Sequence, residues 1–199
     1  MEIKCVQNGT ELINVLTFVK ETFKKINYNI SDEDYTVSYD FWIDKVERKS
    51  PLLLYALDIN KIISSIFGWI DNDNITISHV CTDEDYRGKG IGKLLMDNMG
   101  KQIKILGYKF ITLGALETAE GFYENLGFKG SLLIQSEKHS IDELLSLNNI
   151  YKVAWTNVYD NKINQICILL IKADRELQKK YEKTFVGCNT QMIFQKSIE

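Results

Sequence analysis

The chain has 199 residues, 45% apolar and 26% charged, enough to bury a core within one domain and leave room for a second small one. Its formal net charge of −3 argues against nucleic acid as a partner, and the four cysteines (Cys5, Cys81, Cys167, Cys188) lack the spacing of a zinc site. The longest aliphatic run, ICILLI at 166–171, is too short to cross a bilayer, and the start, MEIKCVQNGTELIN, is no signal peptide, so the reading is a cytoplasmic protein with reduced thiols and no membrane partner.

In chain order, residues 2–7 alternate and predict a strand, and Leu12, Val15, Leu16, Val19 and Phe23 recur at helical spacing. A second helix is expected to start at Ser31, with Asp34 completing a capping box, and to turn Tyr35, Tyr39, Trp42 and Val46 inward. Pro51 opens a strand, PLLLYALDI. Asn60-Lys61 turns it into IISSIFGWI, and DNDN at 71–74 turns again into ITISHVCT, so the middle of the chain is an antiparallel meander.

A helix then carries Ile91, Leu94, Leu95, Met99, Ile103 and Leu106 inward and is capped by Gly107. KFITLGA (109–115) reads as a buried strand, parallel to the strand before the helix because a crossover joins them. ETAEGFYENLGF reads as a short helix stopped by Gly127. Beyond about residue 130 come a strand (131–136), a helix (140–147), strands near 150–158 and 162–171, a helix (174–184) and a strand (190–195). That βαββαβ order outlines a ferredoxin-like unit, or equally an extension of the first sheet.

TDEDYRGKGIGKLL, Thr82 to Leu95, is the informative stretch. Gly88, Gly90 and Gly92 alternate between a strand and a helix, where one tight turn needs fewer glycines. The spacing fits neither a Walker A loop nor the Rossmann G-x-G-x-x-G. What fits is R-G-x-G-x-G running into a helix start, whose successive amides and dipole make a nest for a diphosphate, with Arg87 and Lys89 at its rim. The alternative is a flexible turn.

HVCTDEDYRGKGIGKLL together with AEGFYENLGFKG resembles the GNAT superfamily, N-acyltransferases that use acetyl-coenzyme A. The resemblance spans roughly residues 1–135 and implies a mixed, mostly antiparallel sheet flanked by helices, an α+β fold, with residues 136–199 as a C-terminal α/β extension. The family's loop [RQ]-x-x-G-x-[GA] falls on Arg87, Gly90 and Gly92. It implies that Gly88, Lys89, Gly90, Ile91, Gly92 and Lys93 surround the pyrophosphate of acetyl-CoA, and that Val80, Cys81 and Thr82 lie along its pantetheine arm.

Acyl transfer to an amine requires proton removal, oxyanion stabilisation and protonation of the departing thiolate. By the resemblance, Tyr123 supplies that last proton, beside the alternative of a half-buried helix aromatic on the face it shares with Ala119, Phe122 and Leu126, and an amide near Val80 or Cys81 faces the oxyanion. His79 is the candidate base, beside the alternatives of a structural histidine and of water as the proton carrier. Asp83, Glu84 and Asp85 read either as a solvated acidic turn or as an attractor for a cationic amine. Where the family often carries Asn, this chain has Leu116, and Cys81 has no evident base for a covalent route.

The sequence therefore reads as an N-acetyltransferase acting on a small-molecule or peptide amine through a ternary complex. A non-catalytic acyl-CoA-binding sensor is the alternative, and pairing of subunits into a homodimer is a role open to the tail.

Overall fold

The computed structural model describes residues 1–31, 34–71, 74–148 and 150–198, and its architecture is mixed α/β: mostly antiparallel sheet flanked by helices. The chain forms two compact units, Met1–Ile111 with Ser197–Glu199, and Thr112–Lys196. No helix among the described residues is long and apolar enough to cross a membrane.

In the first unit, β1 (Glu2–Cys5) leads to α1 (Gly9–Lys25) and α2 (Tyr39–Glu47). Asn8 starts α1 by accepting from the Glu11 amide at 3.0 Å, and the helix buries Leu12, Val15, Leu16 and Val19, the stripe read from the sequence. Helix α2 departs from expectation. It begins at Tyr39 with Ser38 as its cap, because Asp34 spends its carboxylate on the Thr36 amide at 2.7 Å and folds the segment into turns. Trp42 and Val46 are buried as expected, whereas Tyr35 and Tyr39 are exposed. The Trp42 indole donates to Tyr35 O at 2.7 Å, so its single polar atom is satisfied inside the core.

Strands β2 (Leu53–Asp58), β3 (Lys61–Asp71) and β4 (Asn74–Thr82) form the anticipated antiparallel meander, with β1 beside β2. The first turn is Ile59-Asn60, one residue earlier than read from the sequence, since Asp58 pairs with Lys61. Residues 72 and 73 of the expected DNDN turn lie outside the described residues. Ile66 and Phe67 are successive and therefore on opposite faces, yet both are fully buried, so the sheet is covered on both sides. One cover is α1 with α2, whose core includes Leu53, Tyr55, Phe67 and Cys81. Helix α3 (Ile91–Ile105) also packs on β2, β3 and β4, burying Ile91, Leu95, Met96, Met99 and Ile103. Leu94 and Leu106, expected inward, are exposed, and Met96 takes the inner stripe. Gly107 follows α3 at φ 82 as a C-terminal cap.

Strand β5 (Phe110–Gly114) alternates instead of being buried throughout, with Phe110 exposed and Ile111 and Leu113 inside. The second unit continues with α4 (Glu120–Asn125), β6 (Lys129–Ser136), α5 (Ile141–Leu145), β7 (Val153–Tyr159), β8 (Ile163–Leu169), α6 (Arg175–Thr184) and β9 (Asn189–Ser197). Its strands run in the order β9-β6-β8-β7, each neighbour antiparallel. Strand β8 thus splits the parallel pair β6 and β7, as in a split βαβ unit, the ferredoxin-like outline that was one of the two arrangements read from the sequence. Ser140 and Glu143 form a capping box on α5. Leu132, Ile134, Leu144, Ile166, Ile168 and Tyr181 are all fully buried, and the Tyr181 hydroxyl donates to Leu144 O at 3.0 Å.

Candidate active site

The glycine stretch folds as a bare, open loop. After β4 a 3₁₀ turn at Glu84–Tyr86 leads to Arg87, and then Gly88 and Gly90 take positive φ values of 73 and 77. A Cβ built on either glycine meets no atom within 4 Å, so these residues are set by backbone conformation and by whatever the open space receives. Gly90 caps α3 without a side-chain bond, and the first intrahelical bond of that turn is Leu94 N to Gly90 O at 3.0 Å. Among the described residues no acceptor meets the amides of Gly88, Lys89, Gly90, Ile91, Gly92 or Lys93. Six consecutive donors at the positive end of a fifteen-residue helix suit an anion.

The basic residues differ in how free their charge is. Arg87 Nε donates to Thr82 O at 3.1 Å, which pins its stem to the end of β4. Lys89 Nζ donates to Asp85 O at 2.8 Å and lies 4.9 Å from the Tyr86 ring. Both are held by main chain or ring, so neither is neutralised by these contacts. Lys93, by contrast, is paired with Asp97 at 2.6 Å.

The acidic run proves to be an anchor. Asp83 is buried, accepts from the Asp85 amide at 3.1 Å and pairs with Lys61 at 3.0 Å, while Glu84 pairs with Lys25 at 3.0 Å. The Lys61 ammonium holds the Asp83 carboxyl below its usual range. Tyr86 reaches back to Asp58 Oδ2 at 3.1 Å, so the β2–β3 turn and the loop entry are joined twice.

His79 and Cys81 lie on β4, on the face beneath α1 and α2. His79 is 4% exposed, packs 4.9 Å from Phe67, and shares a hydrogen bond between Nε2 and Ser65 Oγ at 3.0 Å. Its Nδ1 has no partner among the described residues, and burial pushes the imidazole down to about 3. Burial likewise pushes the Cys81 thiol up to about 12, which keeps it protonated and unsuited to nucleophilic attack. Ser78 is the extra residue of a β-bulge, since Phe67 pairs with His79 and Gly68 with Ile77. Val80 pairs with Ile66 and Thr82 with Ser64, whose hydroxyl bonds both Cys81 O at 2.7 Å and Thr82 Oγ1 at 2.8 Å.

Tyr123 belongs to the second unit, on α4. It is 6% exposed, more enclosed than the half-buried aromatic a helix face suggests, with the Phe122 and Phe128 rings edge-on at 5.1 and 5.7 Å. Leu116 caps the 3₁₀ turn before α4.

Three supporting residues escaped the sequence reading: Lys61, Ser64 and Ser65. The signal was present in IISSIFGWI, where two adjacent serines interrupt an apolar strand and must address opposite faces. An open cavity of about 630 Å³ in the first unit, bounded by residues such as Asn8, Tyr39, Ile43 and Glu47, includes none of the loop residues. Among the described residues no cluster of His, Cys, Asp and Glu could hold a metal ion.

The chain matches the family described as "Acetyltransferase (GNAT) domain" over residues 29–141. No curated protein matches it. Among solved structures it is similar to an acetyltransferase of the GNAT family from Staphylococcus aureus Mu50, at 15% identity and a TM-score of 0.60, covering 100% of each chain. It is also similar to the PaiA N-acetyltransferase from Thermoplasma acidophilum in complex with coenzyme A, at 17% identity and a TM-score of 0.54, covering 85% of this chain and 100% of that one. An aminoglycoside 6'-N-acetyltransferase complexed with coenzyme A gives 13% identity and a TM-score of 0.53, covering 100% of this chain and 98% of that one.

Proposed function

The chain belongs to the GNAT acetyltransferase family, and on that premise we propose that it transfers the acetyl group of acetyl-CoA to a primary amine of a small molecule or peptide, by direct attack in a ternary complex. The observation that carries the proposal is the row of acceptor-free amides from Gly88 to Lys93, open at Gly88 and Gly90. Those amides hold the diphosphate, Arg87 and Lys89 add charge at its rim, and the β4 main chain at Val80, Cys81 and Thr82 faces the pantetheine arm. Leu116 contributes only apolar contact, so this chain's hold on the cofactor rests on backbone.

Attack forms the carbon–nitrogen bond and a tetrahedral oxyanion. As that adduct collapses and the carbon–sulfur bond breaks, Tyr123 gives its hydroxyl proton to the sulfur and is reprotonated from water. Proton removal from the amine falls to water. The desolvated His79 ring, with a conjugate acid near 3, is a weak base at neutral pH, and its role is to hold the bulged strand through Ser65. The protonated Cys81 thiol favours direct transfer over an acyl-cysteine.

The test has two parts. Calorimetry with acetyl-CoA should show saturable binding that Gly90→Asp weakens at least about tenfold, since the new side chain strains a left-handed residue and repels the diphosphate. Thiol release should then be measured across a library of amines. Release with one class names the acceptor, whereas tight binding without release from any amine would favour an acyl-CoA-binding sensor.

A further inference from the structure

Helix α4, which carries Tyr123, cannot hold itself. It has six residues, fewer than two turns, and its N-cap, Ala119, makes no side-chain hydrogen bond. What fixes it comes from far along the second unit, between Ala173 and Lys196. At the start of α4 the Arg175 guanidinium pairs with Glu120, and the Ala173 amide donates to Glu124 Oε1 at 3.1 Å. At its end Lys196 Nζ donates to Leu126 O at 2.6 Å. Between these two grips the Phe194 ring lies 5.9 Å from the Tyr123 ring. Glu120 and Tyr123 are both buried and stand one turn apart, so a shift of the first is passed to the second.

Arg175 is itself a fixed point. It opens α6, whose N-cap Asp174 accepts from the Leu177 amide at 2.9 Å and from the Tyr151 hydroxyl at 2.8 Å. One terminal nitrogen of its guanidinium bonds Glu120 and the other bonds Gln178, which is buried as well. A planar fork held at both prongs sets direction as well as distance. A buried ion pair is a poor source of stability beside apolar packing of the same volume, whereas its geometry is strict. We propose that Arg175 and Lys196 are positioning residues for acyl transfer, which grip α4 at its two ends and hold the Tyr123 hydroxyl in its working orientation. This assignment rests on Tyr123 acting as the acid, and it gives the C-terminal extension a part in the chemistry.

Steady-state kinetics of the full chain, with acetyl-CoA and the amine of fastest thiol release, reads the effect. Rates are taken per acetyl-CoA site counted by calorimetry, so unfolded protein does not enter. Turnover, kcat, should fall about tenfold in Arg175→Met and several-fold in Lys196→Met, while KM for acetyl-CoA stays within about twofold. Arg175→Lys, which keeps a cation for Glu120 but cannot span to Gln178, should fall between wild type and Arg175→Met. In a Tyr123→Phe background, where no acid is left to orient, Arg175→Met and Lys196→Met should each change kcat less than about twofold. Equal losses in the two backgrounds, or full turnover in both single variants beside an impaired Tyr123→Phe, would overturn the positioning role and leave the acid in place. A Tyr123→Phe as fast as wild type, or no thiol release with any amine, would remove the acid and the positioning role together.

Discussion

Lys61 Nζ lies 3.0 Å from Asp83 Oδ2, and this contact ties the β2–β3 turn to the entry of the glycine loop. Asp83 is also held by its own amide, which donates to Ile63 O at 2.9 Å, and by its cap to Asp85. Three bonds on one residue hold the entry of a loop rich in glycine.

The Lys61 hydrogen bond lowers the folded value of Asp83 from the ordinary 3.8. Its stabilising effect is therefore complete above pH 3.8 and is lost as the pH falls through the lowered folded value. Asp83→Asn retains an acceptor for the Asp85 amide but has no charge to lose. Urea melts should show the wild type ahead of Asp83→Asn at pH 6, with the gap closing toward pH 2. A gap that stays constant over that range would remove the ion pair from the account.

His79 makes a second pH prediction. Its imidazole falls from 6.5 unfolded to about 3 in the fold, so the unfolded chain takes up a proton that the folded chain refuses. Stability is then full above pH 6.5 and drops by about 1.4 kcal/mol per pH unit between 6.5 and 3. His79→Leu should flatten that limb of the stability curve. The pH profile of acetyl transfer should show no step assignable to His79, and an inflection near 6.5 that disappears in His79→Leu would restore it as the base.

The glycine loop was legible because its chemistry is local: positive φ at Gly88 and Gly90, and the helix start at Ile91, all follow from adjacent residues. The meander was legible through turn chemistry at Asn60, in a first turn set one residue earlier than it was read. The start of α2 was not, because Ser31 and Ser38 are both competent caps and only the bond from Thr36 to Asp34 decides between them. The neighbours of His79 were hidden for a different reason. Its burial depends on Ser65 and Phe67, which reach it through strand pairing that one strand's alternation cannot reveal. The inner stripe of α3 was misread at Leu94, Met96 and Leu106, since all three are apolar and only the packing on β2 and β3 chooses among them.

In the second unit, Arg175 on α6 pairs with Glu120 on α4, with side chains 23% and 11% exposed. Burial raises the Glu120 carboxyl and the guanidinium draws it back down. Cutting only one partner strands a charge, so Arg175→Met should cost about 3 kcal/mol in chemical unfolding, whereas Glu120→Leu combined with Arg175→Met should cost clearly less. Equal losses in the single and double variants would mean that the pair acts only through packing.

Tyr123→Phe separates chemistry from structure at the proposed acid. The ring contacts with Phe122, Phe128 and Phe194 survive the change, so stability should stay within about 1 kcal/mol of wild type. Acetyl-CoA affinity should also hold, because the amides of Gly88–Lys93 are untouched. Turnover should fall about a hundredfold or more, the usual contribution of a positioned acid. Amines of lower basicity sharpen the test. Their attack is slower while the departing thiolate is unchanged, so the ratio of wild-type to variant rates should narrow as amine attack becomes limiting. A variant that turns over as fast as wild type with every amine would take Tyr123 out of the mechanism and leave solvent to protonate the sulfur.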